Sequence, residues 1–420
     1  MITRPRTFLL YTILVFAVAL AARGFNLWDS APMKLGPDEA EYVALGEGLA
    51  RNGNFVSTEA TQTIFQGGKV GEPTAYRNPA LPLFIAIHYK LFGYDLLWPR
   101  VTLVLLSSVV CVFLALLGKM IGHPTAGLIA AALWAINPPG VIGPYSADRP
   151  ISESLAVFLL TGAITWLVLY YQQPRLRNVV ISAVLLGLAI LTRGYLVFLL
   201  PMCAAFLYFF PAGKRWQALI SFTVIASAIV GLWVCRNWIR MEKPVLATQT
   251  EGFYLGNNLW SRGSISGEIF TQTTESPQFK EIKERYPHVM EMSEIERSEM
   301  WTREAVRSIL AFPKQFVWLL MRKTLIFWGP FQFWSRGWYR WHYLFSVMVV
   351  FAFAGLARKW PAHSAKFILL LLLPITAVFI ATLMTFVLDR YRFMIEPFVF
   401  LLGAIGVERV VERSRRAESQ

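Results

Sequence analysis

Residues 7–24 read TFLLYTILVFAVALAARG, a run whose only charge is Arg23 near its end, and they follow Arg4 and Arg6. About 20 apolar residues cross the roughly 30 Å hydrocarbon core of a bilayer as a helix. In lipid only a helix or a closed barrel satisfies every backbone group, so this run predicts a membrane-spanning helix. Ala19, Ala21 and Ala22 mimic a signal-peptide cleavage site. Runs of the same kind recur downstream, however, and the first is read as a retained helix.

Apolar stretches near 7–25, 99–118, 123–141, 152–172, 177–193, 195–211, 216–236, 341–357, 365–387 and 393–410 predict about ten transmembrane helices. The composition agrees, since 55% of the 420 residues are hydrophobic and 16% charged, a balance suited to lipid rather than water. The formal charge of +14 would suggest nucleic acid in a soluble chain. Here the basic residues sit at the ends of apolar runs, where they set topology, and no nucleic-acid partner is expected. Cys111, Cys203 and Cys235 lie in or beside apolar runs without metal-ligand spacing, so neither a disulfide framework nor a zinc site is expected.

Lys and Arg cluster at alternate ends of these runs, as the positive-inside rule requires. Arg4 and Arg6, Lys119, Arg175 and Arg177, Lys214 and Arg215, Arg358, Lys359 and Lys366, and Arg409, Arg413, Arg415 and Arg416 all fall on one side. An even number of spans leaves both termini in the cytoplasm. That parity keeps two apolar stretches out of the membrane. Residues 80–92 are too short to span and end at Gly93, which fits an interfacial helix. Residues 305–330 carry Lys314, Arg322 and Lys323 among Phe316, Trp318, Leu319, Leu325 and Trp328, an amphipathic mix suited to the headgroup level.

The expected fold is therefore an all-α polytopic membrane protein of about ten transmembrane helices, with an extracytoplasmic cap formed by two long loops. Its parts are a first helix (1–25), a first outer loop (26–98), helices two to seven (99–236), a second outer loop (237–340), and the last three helices with a tail (341–420). The second loop opens with GFYLGNNLWSRGSISG (252–267) and continues into the charged, helix-patterned FKEIKERYPHVMEMSEIERSEMWTREAVRSIL (279–310). Such a chain belongs in an inner or plasma membrane, among membrane lipids.

Ionisable groups within spans mark ion paths, and the middles of these spans are almost free of them. A transporter or flippase, the alternative reading, would show charged or broken helices at mid-membrane. Polar residues gather instead at the outer helix ends: Asp38, Glu39, Glu41, Arg77, Asp148, Arg149, Glu153, Arg193, Arg236, Asp389, Arg390, Arg392 and Glu396. Carboxylates and guanidinium groups at one face point to acid/base work on a substrate whose phosphate is held by arginine. In GPDEAEYVALGEGLARNGNF (36–55), Asp38 reads as a helix N-cap with Glu41 completing a capping box. A compatible reading makes it a general base kept ionised by the helix dipole.

The run DEAEYVALGEGLARNG (38–53) resembles the acidic signature of the GT-C glycosyltransferases, a superfamily that includes the lipid A aminoarabinose transferase and the protein O-mannosyltransferases. The resemblance continues in order through YRNPALPLFIAIHYKLFG (76–93), RPISESLAVFLL (149–160), LAILTRGYLVFLLP (188–201), WVCRNWIR (233–240), GFYLGNN (252–258) and DRYRFMIEPFVFLLGAIG (389–406). It implies transfer of a sugar from a polyprenyl-phosphate donor to a lipid, glycan or protein acceptor at the outer leaflet. By position, Asp38 matches the catalytic base and Glu153 the second acidic site that orients the acceptor. Glu39 and Asp148 are alternative acids. Arg77 takes the phosphate role because Asn78 stands where the pattern often has Lys or Arg before the proline.

A lone arginine at a helix end is more often an anchor than a ligand. Arg193, Arg390 and Arg392 lie at outer ends, where topology does not ask for positive charge, and are expected to neutralise the leaving phosphate. Arg236 is a weaker candidate. Tyr42, Tyr254, Asn257 and Asn258 are expected against the substrate, although a Gly/Asn-rich turn also accounts for the last three. His288, His342 and His363 are isolated, and the metal is open: Asp38 with Glu153 or Asp148 has the chemistry to hold a divalent cation.

Overall fold

The computed structural model describes residues 4–28, 34–61, 65–143, 145–264, 277–329, 339–357 and 362–418. Arg358 and Lys359 lie outside the described residues, as do the side chains of His342, His363, Arg413, Arg415 and Arg416. The chain folds as helices; among the described residues the β-type pairings are two isolated bridges, Val56 with Pro73 and Ser264 with Val387.

Helices occupy each predicted span: α1 (Pro5–Gly24), α4 (Leu97–Met120), α5 (Pro124–Ala135) with the short α6 (Pro138–Val141), α7 (Ser152–Gln172), α8 (Leu176–Thr192), α9 (Leu199–Phe209), α10 (Arg215–Met241), α15 (Tyr339–Leu356), α16 (Ala362–Met384) and α18 (Glu396–Glu418). Among the described residues five of these, α1, α4, α7, α10 and α16, are long and apolar enough to cross a membrane on their own. The stretch 123–141 does not form one unbroken helix. Pro138 and Pro139 follow Asn137, and proline cannot continue a helix, so α5 ends at Ala135. The carbonyls this leaves at Trp134 and Ala135 accept from the buried Arg23 guanidinium of α1, at 2.5 and 2.7 Å.

Helices of the bundle approach closely where both carry glycine, as lipid-embedded bundles require. A Cβ on Gly118 of α4 would lie 2.3 Å from Gly127 Cα of α5, and one on Gly406 of α18 would lie 1.9 Å from Phe351 O of α15. Apolar side chains point outward as well, with Leu232 and Ile239 of α10 exposed at 76% and 78%. At one end of the bundle Lys366 sits over the Tyr171 ring and Arg409 donates to Gly355 O.

At the opposite end, α2 (Pro37–Asn52), α3 (Ala80–Phe92), α11 (Glu251–Asn257), α12 (Pro277–Arg285), α13 (Glu294–Ala311) and α14 (Pro313–Trp328) build a cap. It has its own small core of Tyr254, Phe279, Ile282, Val289, Met300, Trp301 and Ala305. The two loops are joined by the buried Glu294 carboxylate, which accepts from Gln66, the Thr74 hydroxyl, Ala75 N and the Thr248 hydroxyl at 2.6–3.0 Å. The 305–330 stretch breaks at Phe312, where Pro313 restarts the chain as α14. Lys323 of α14 is buried inside the protein, its Nζ donating at 2.8 Å to Asn257 Oδ1 and to Leu383 O. GFYLGNN, read above as turn-like, is largely helical as α11, while residues 265–276 lie outside the described residues.

Candidate functional site

Asp38 is the second residue of α2, after Pro37 at the first position. The helix is capped one step earlier than the sequence suggested. Gly36 is the N-cap, and the Glu39 carboxylate accepts from Gly36 N at 2.6 Å. The expected box of Asp38 with Glu41 is therefore not formed, and the Asp38 side chain is left for other partners. Its Oδ1 accepts from Arg77 Nη2 at 2.7 Å and its Oδ2 from Arg390 Nη1 at 2.6 Å.

These two arginines extend the cluster. Arg77, brought in just ahead of α3, also donates through Nε to the buried Glu41, and its guanidinium lies over the Tyr42 ring. Arg390 comes from α17 (Asp389–Phe393), a short turn between α16 and α18, and its Nε lies 3.9 Å from Glu153 Oε1. Glu153, in the first turn of α7, pairs with Arg193 at the end of α8. The Tyr42 hydroxyl is 3.2 Å from Ser152 Oγ, which ties α2 to the start of α7. Asp38, Glu41, Tyr42, Arg77, Glu153, Arg193 and Arg390 thus form one ionic cluster drawn from five separate helix ends.

Burial works against ionisation of Asp38, but the charges of Arg77 and Arg390 outweigh it and hold its carboxyl well below the usual carboxylate range. For Glu41 burial prevails over Arg77 and pushes the carboxyl up. The net result is one firmly ionised carboxylate, 38% exposed, between two guanidinium groups.

Other expected residues are used elsewhere. Arg149 holds Glu39, with Nη2 to Oε2 at 2.6 Å. Asp148 accepts from Arg100 Nη2 at 3.3 Å. Arg392 is buried and donates to Phe327 O and Gly329 O at 3.3 and 2.9 Å. Arg236 donates to Thr74 O and Phe55 O at 2.8 and 2.5 Å. Asn257 is held by Lys323, Phe253 O and Met384 O, and Asn258 Oδ1 accepts from Trp260 N. Tyr254 packs against Trp301 in the cap core. These contacts are with groups other than Asp38, Arg77, Glu153, Arg193 and Arg390.

Among the described residues no group of three or more His, Cys, Asp or Glu has metal-holding geometry. Asp38, Glu153 and Asp148 each face a guanidinium in this arrangement.

A protein-family profile described as dolichyl-phosphate-mannose-protein mannosyltransferase matches residues 74–239. That segment contains Arg77, Glu153 and Arg193, whereas Asp38 and Arg390 join them only through the fold. Over 208 residues the chain is 27% identical to the undecaprenyl phosphate-alpha-4-amino-4-deoxy-L-arabinose arabinosyl transferase of Pseudomonas paraeruginosa, covering 48% of this chain and 35% of that one. Of solved structures, the Archaeoglobus fulgidus oligosaccharyltransferase tethered with an acceptor peptide is similar at a TM-score of 0.57 and 15% identity, over 98% of this chain and 50% of that one. The same enzyme in complex with an inhibitory peptide and a dolichol-phosphate gives a TM-score of 0.55 at 16% identity, over 98% and 51%. The alignments span about a third of the curated relatives and about half of the solved chains. At these identities the structural likeness establishes the fold.

Proposed function

Because this chain has the fold of the GT-C superfamily of membrane glycosyltransferases, we propose that it moves a sugar from a polyprenyl-phosphate donor to an acceptor hydroxyl at the extracytoplasmic face of an inner or plasma membrane. The observation that carries this reading is the Asp38 carboxylate bridged by Arg77 and Arg390, with the Arg193–Glu153 pair beside it. A base surrounded by phosphate-binding groups is what an inverting transfer from a phosphate carrier needs.

In the single displacement, the acceptor oxygen bonds to the anomeric carbon as the bond from that carbon to the phosphate oxygen breaks. Asp38 takes the hydroxyl proton, and the arginines neutralise the departing phosphate. Clamped by two guanidinium groups, Asp38 is a weak base, because a low carboxyl pKa favours the ionised form over proton uptake. A donor phosphate competes for Arg390, and each hydrogen bond it draws from the carboxylate restores basicity to Asp38. Donor binding thereby prepares the base for the acceptor. Glu153 aligns Arg193 and Arg390 in this scheme. A lipid, glycan or protein supplies the acceptor hydroxyl.

The direct test is incubation of membranes containing the protein with radiolabelled prenyl-phosphate sugars. Label moving to a product that no longer carries the prenyl phosphate is expected. Retention of label on every donor offered, with added acceptors, refutes the transferase reading.

A further inference from the structure

Beside the ionic cluster, the second long loop and the ends of α8, α16 and α17 enclose a cavity of about 290 Å³. That is near the lower end of small-molecule sites, which run from about 300 to 1,000 Å³, and it suits a monosaccharide better than a lipid tail. Asn78, Arg193, Glu251 and Arg390 line it together with the rings of Tyr195 and Phe386. One polar atom of each of the first four, Asn78 Oδ1, Arg193 Nε, Glu251 Oε2 and Arg390 Nε, is buried without a hydrogen-bond partner. The 3.9 Å from Arg390 Nε to Glu153 is too long for a hydrogen bond. Unpaired polar atoms inside proteins are few, and four around one cavity point to a ligand that supplies their partners.

Glu251 is placed there by the fold. It is the first residue of α11, which docks so tightly on the end of α16 that a Cβ on Gly256 would fall 1.8 Å from Thr385 O. The carboxyl is 6% exposed, the Tyr76 hydroxyl donates to Oε1 at 2.8 Å, and the Gln249 side chain, also in the cavity lining, lies against the carboxyl, while Oε2 makes no hydrogen bond of good geometry and is open to a ligand. The two arginines offer donors to an anion, and Glu251 and Asn78 offer oxygen atoms to hydroxyls. A small polyol ester of phosphate has both.

We propose that this cavity seats the sugar of the donor, with Glu251 and Asn78 pairing with its hydroxyl groups while Arg193 and Arg390 face its phosphate. The proposal rests on the transferase reading for the identity of the donor, and adds a site for its sugar. Burial pushes the Glu251 carboxyl up to about 7, against hydrogen bonds from Tyr76 and Gln249, so acid and anion are both present near neutral pH. A sugar hydroxyl both donates and accepts and pairs with either form.

The test uses the full-length protein in detergent with soluble headgroup probes: mannose 1-phosphate, glucose 1-phosphate, N-acetylglucosamine 1-phosphate and, as control, inorganic phosphate. In wild type at least one sugar phosphate should raise the melting temperature beyond inorganic phosphate at equal concentration. Glu251→Leu should keep the inorganic phosphate response and lose the sugar-dependent excess, with affinity for that sugar phosphate falling on the order of tenfold. Glu251→Gln should retain part of it, because an amide still pairs with a hydroxyl. If Glu251→Leu does not fold, Asn78→Ala and Glu251→Gln carry the same comparison. No excess in wild type, or full excess in the variants, overturns the proposal. Sugar-phosphate recognition through Glu251 without transfer from any prenyl donor would sink the transferase reading alone. Transfer with unchanged donor KM in Glu251→Leu would sink the cavity proposal alone.

Discussion

Replacing Asp38 with asparagine keeps the side-chain shape and removes the charge between two guanidinium groups, and three effects of different sign follow. The Asp38 carboxylate receives hydrogen bonds of 2.7 Å from Arg77 and 2.6 Å from Arg390. Breaking a fully buried pair costs about 3–5 kcal/mol. Asp38 is 38% exposed, and Arg77 and Arg390 keep Glu41 and Glu153 as neighbours, so solvent screening reduces the expected loss to about 1–2 kcal/mol. The folded variant should therefore melt only a few degrees below wild type. Binding of undecaprenyl phosphate should tighten, because the phosphate no longer competes with Asp38 for Arg390. A charge-assisted hydrogen bond is worth about 1.5–3 kcal/mol when buried, and partial exposure brings the gain to at most about tenfold in Kd. Transfer should fall by about 10²–10⁴-fold, the usual contribution of a general base. Melting, titration with undecaprenyl phosphate and single-turnover transfer on one preparation measure all three. Wild-type transfer would remove Asp38 from the chemistry. Loosened phosphate binding would show that Asp38 organises the arginines rather than occupying them.

The arginines divide by their partners. Arg390→Ala and Arg193→Ala should impair donor use, with partial rescue by Lys, which keeps the charge and loses the fork; normal donor kinetics in the double Ala variant would assign both to anchoring. Arg392→Ala should instead destabilise by roughly 1–3 kcal/mol, since it orphans the carbonyls of Phe327 and Gly329, while leaving the donor KM of the folded fraction unchanged. Burial lifts the Glu251 carboxyl from 4.5 to about 7, so wild type should lose stability as pH rises through that window and level off above it. The loss is on the order of 3 kcal/mol at about 1.4 kcal/mol per pH unit. Glu251→Gln, with nothing to ionise, should lack that slope in melting scans from pH 4 to 8, and an identical slope in both proteins would contradict the burial argument. In cysteine-free protein, a cysteine at Glu59 should react with an impermeant thiol reagent added outside and one at Arg177 should not; labelling of both from one side would overturn the topology.

What the sequence determined is what depends on neighbours along the chain. An apolar run long enough to cross lipid forms a helix wherever it occurs, so 97–120 and 215–241 were legible as 99–118 and 216–236. Charge at the run ends separated the basic face from the face carrying Asp38, Arg77, Glu153, Arg193 and Arg390, which the fold gathers into one cluster. The start of α2 was local too, although the cap fell on Gly36 rather than on Asp38, whereas the stretch read as continuous over 305–330 is divided at Pro313.

Pairing was decided by the tertiary structure. Nothing near Asp38 in sequence indicates that Arg390 closes on it, or that Arg392, two residues further along, is turned away to the carbonyls of Phe327 and Gly329. Asn257 looked like a sugar ligand until Lys323 and Met384 O occupied its amide. Glu251 carried no sequence signal, since a lone glutamate in a polar loop reads as solvated. Its importance comes from the docking of α11 on α16 and from Tyr76, reached across the first loop. Helix formation is a local balance of backbone hydrogen bonding and solvent, whereas the ionisation and reach of a polar side chain depend on which distant groups exclude water around it.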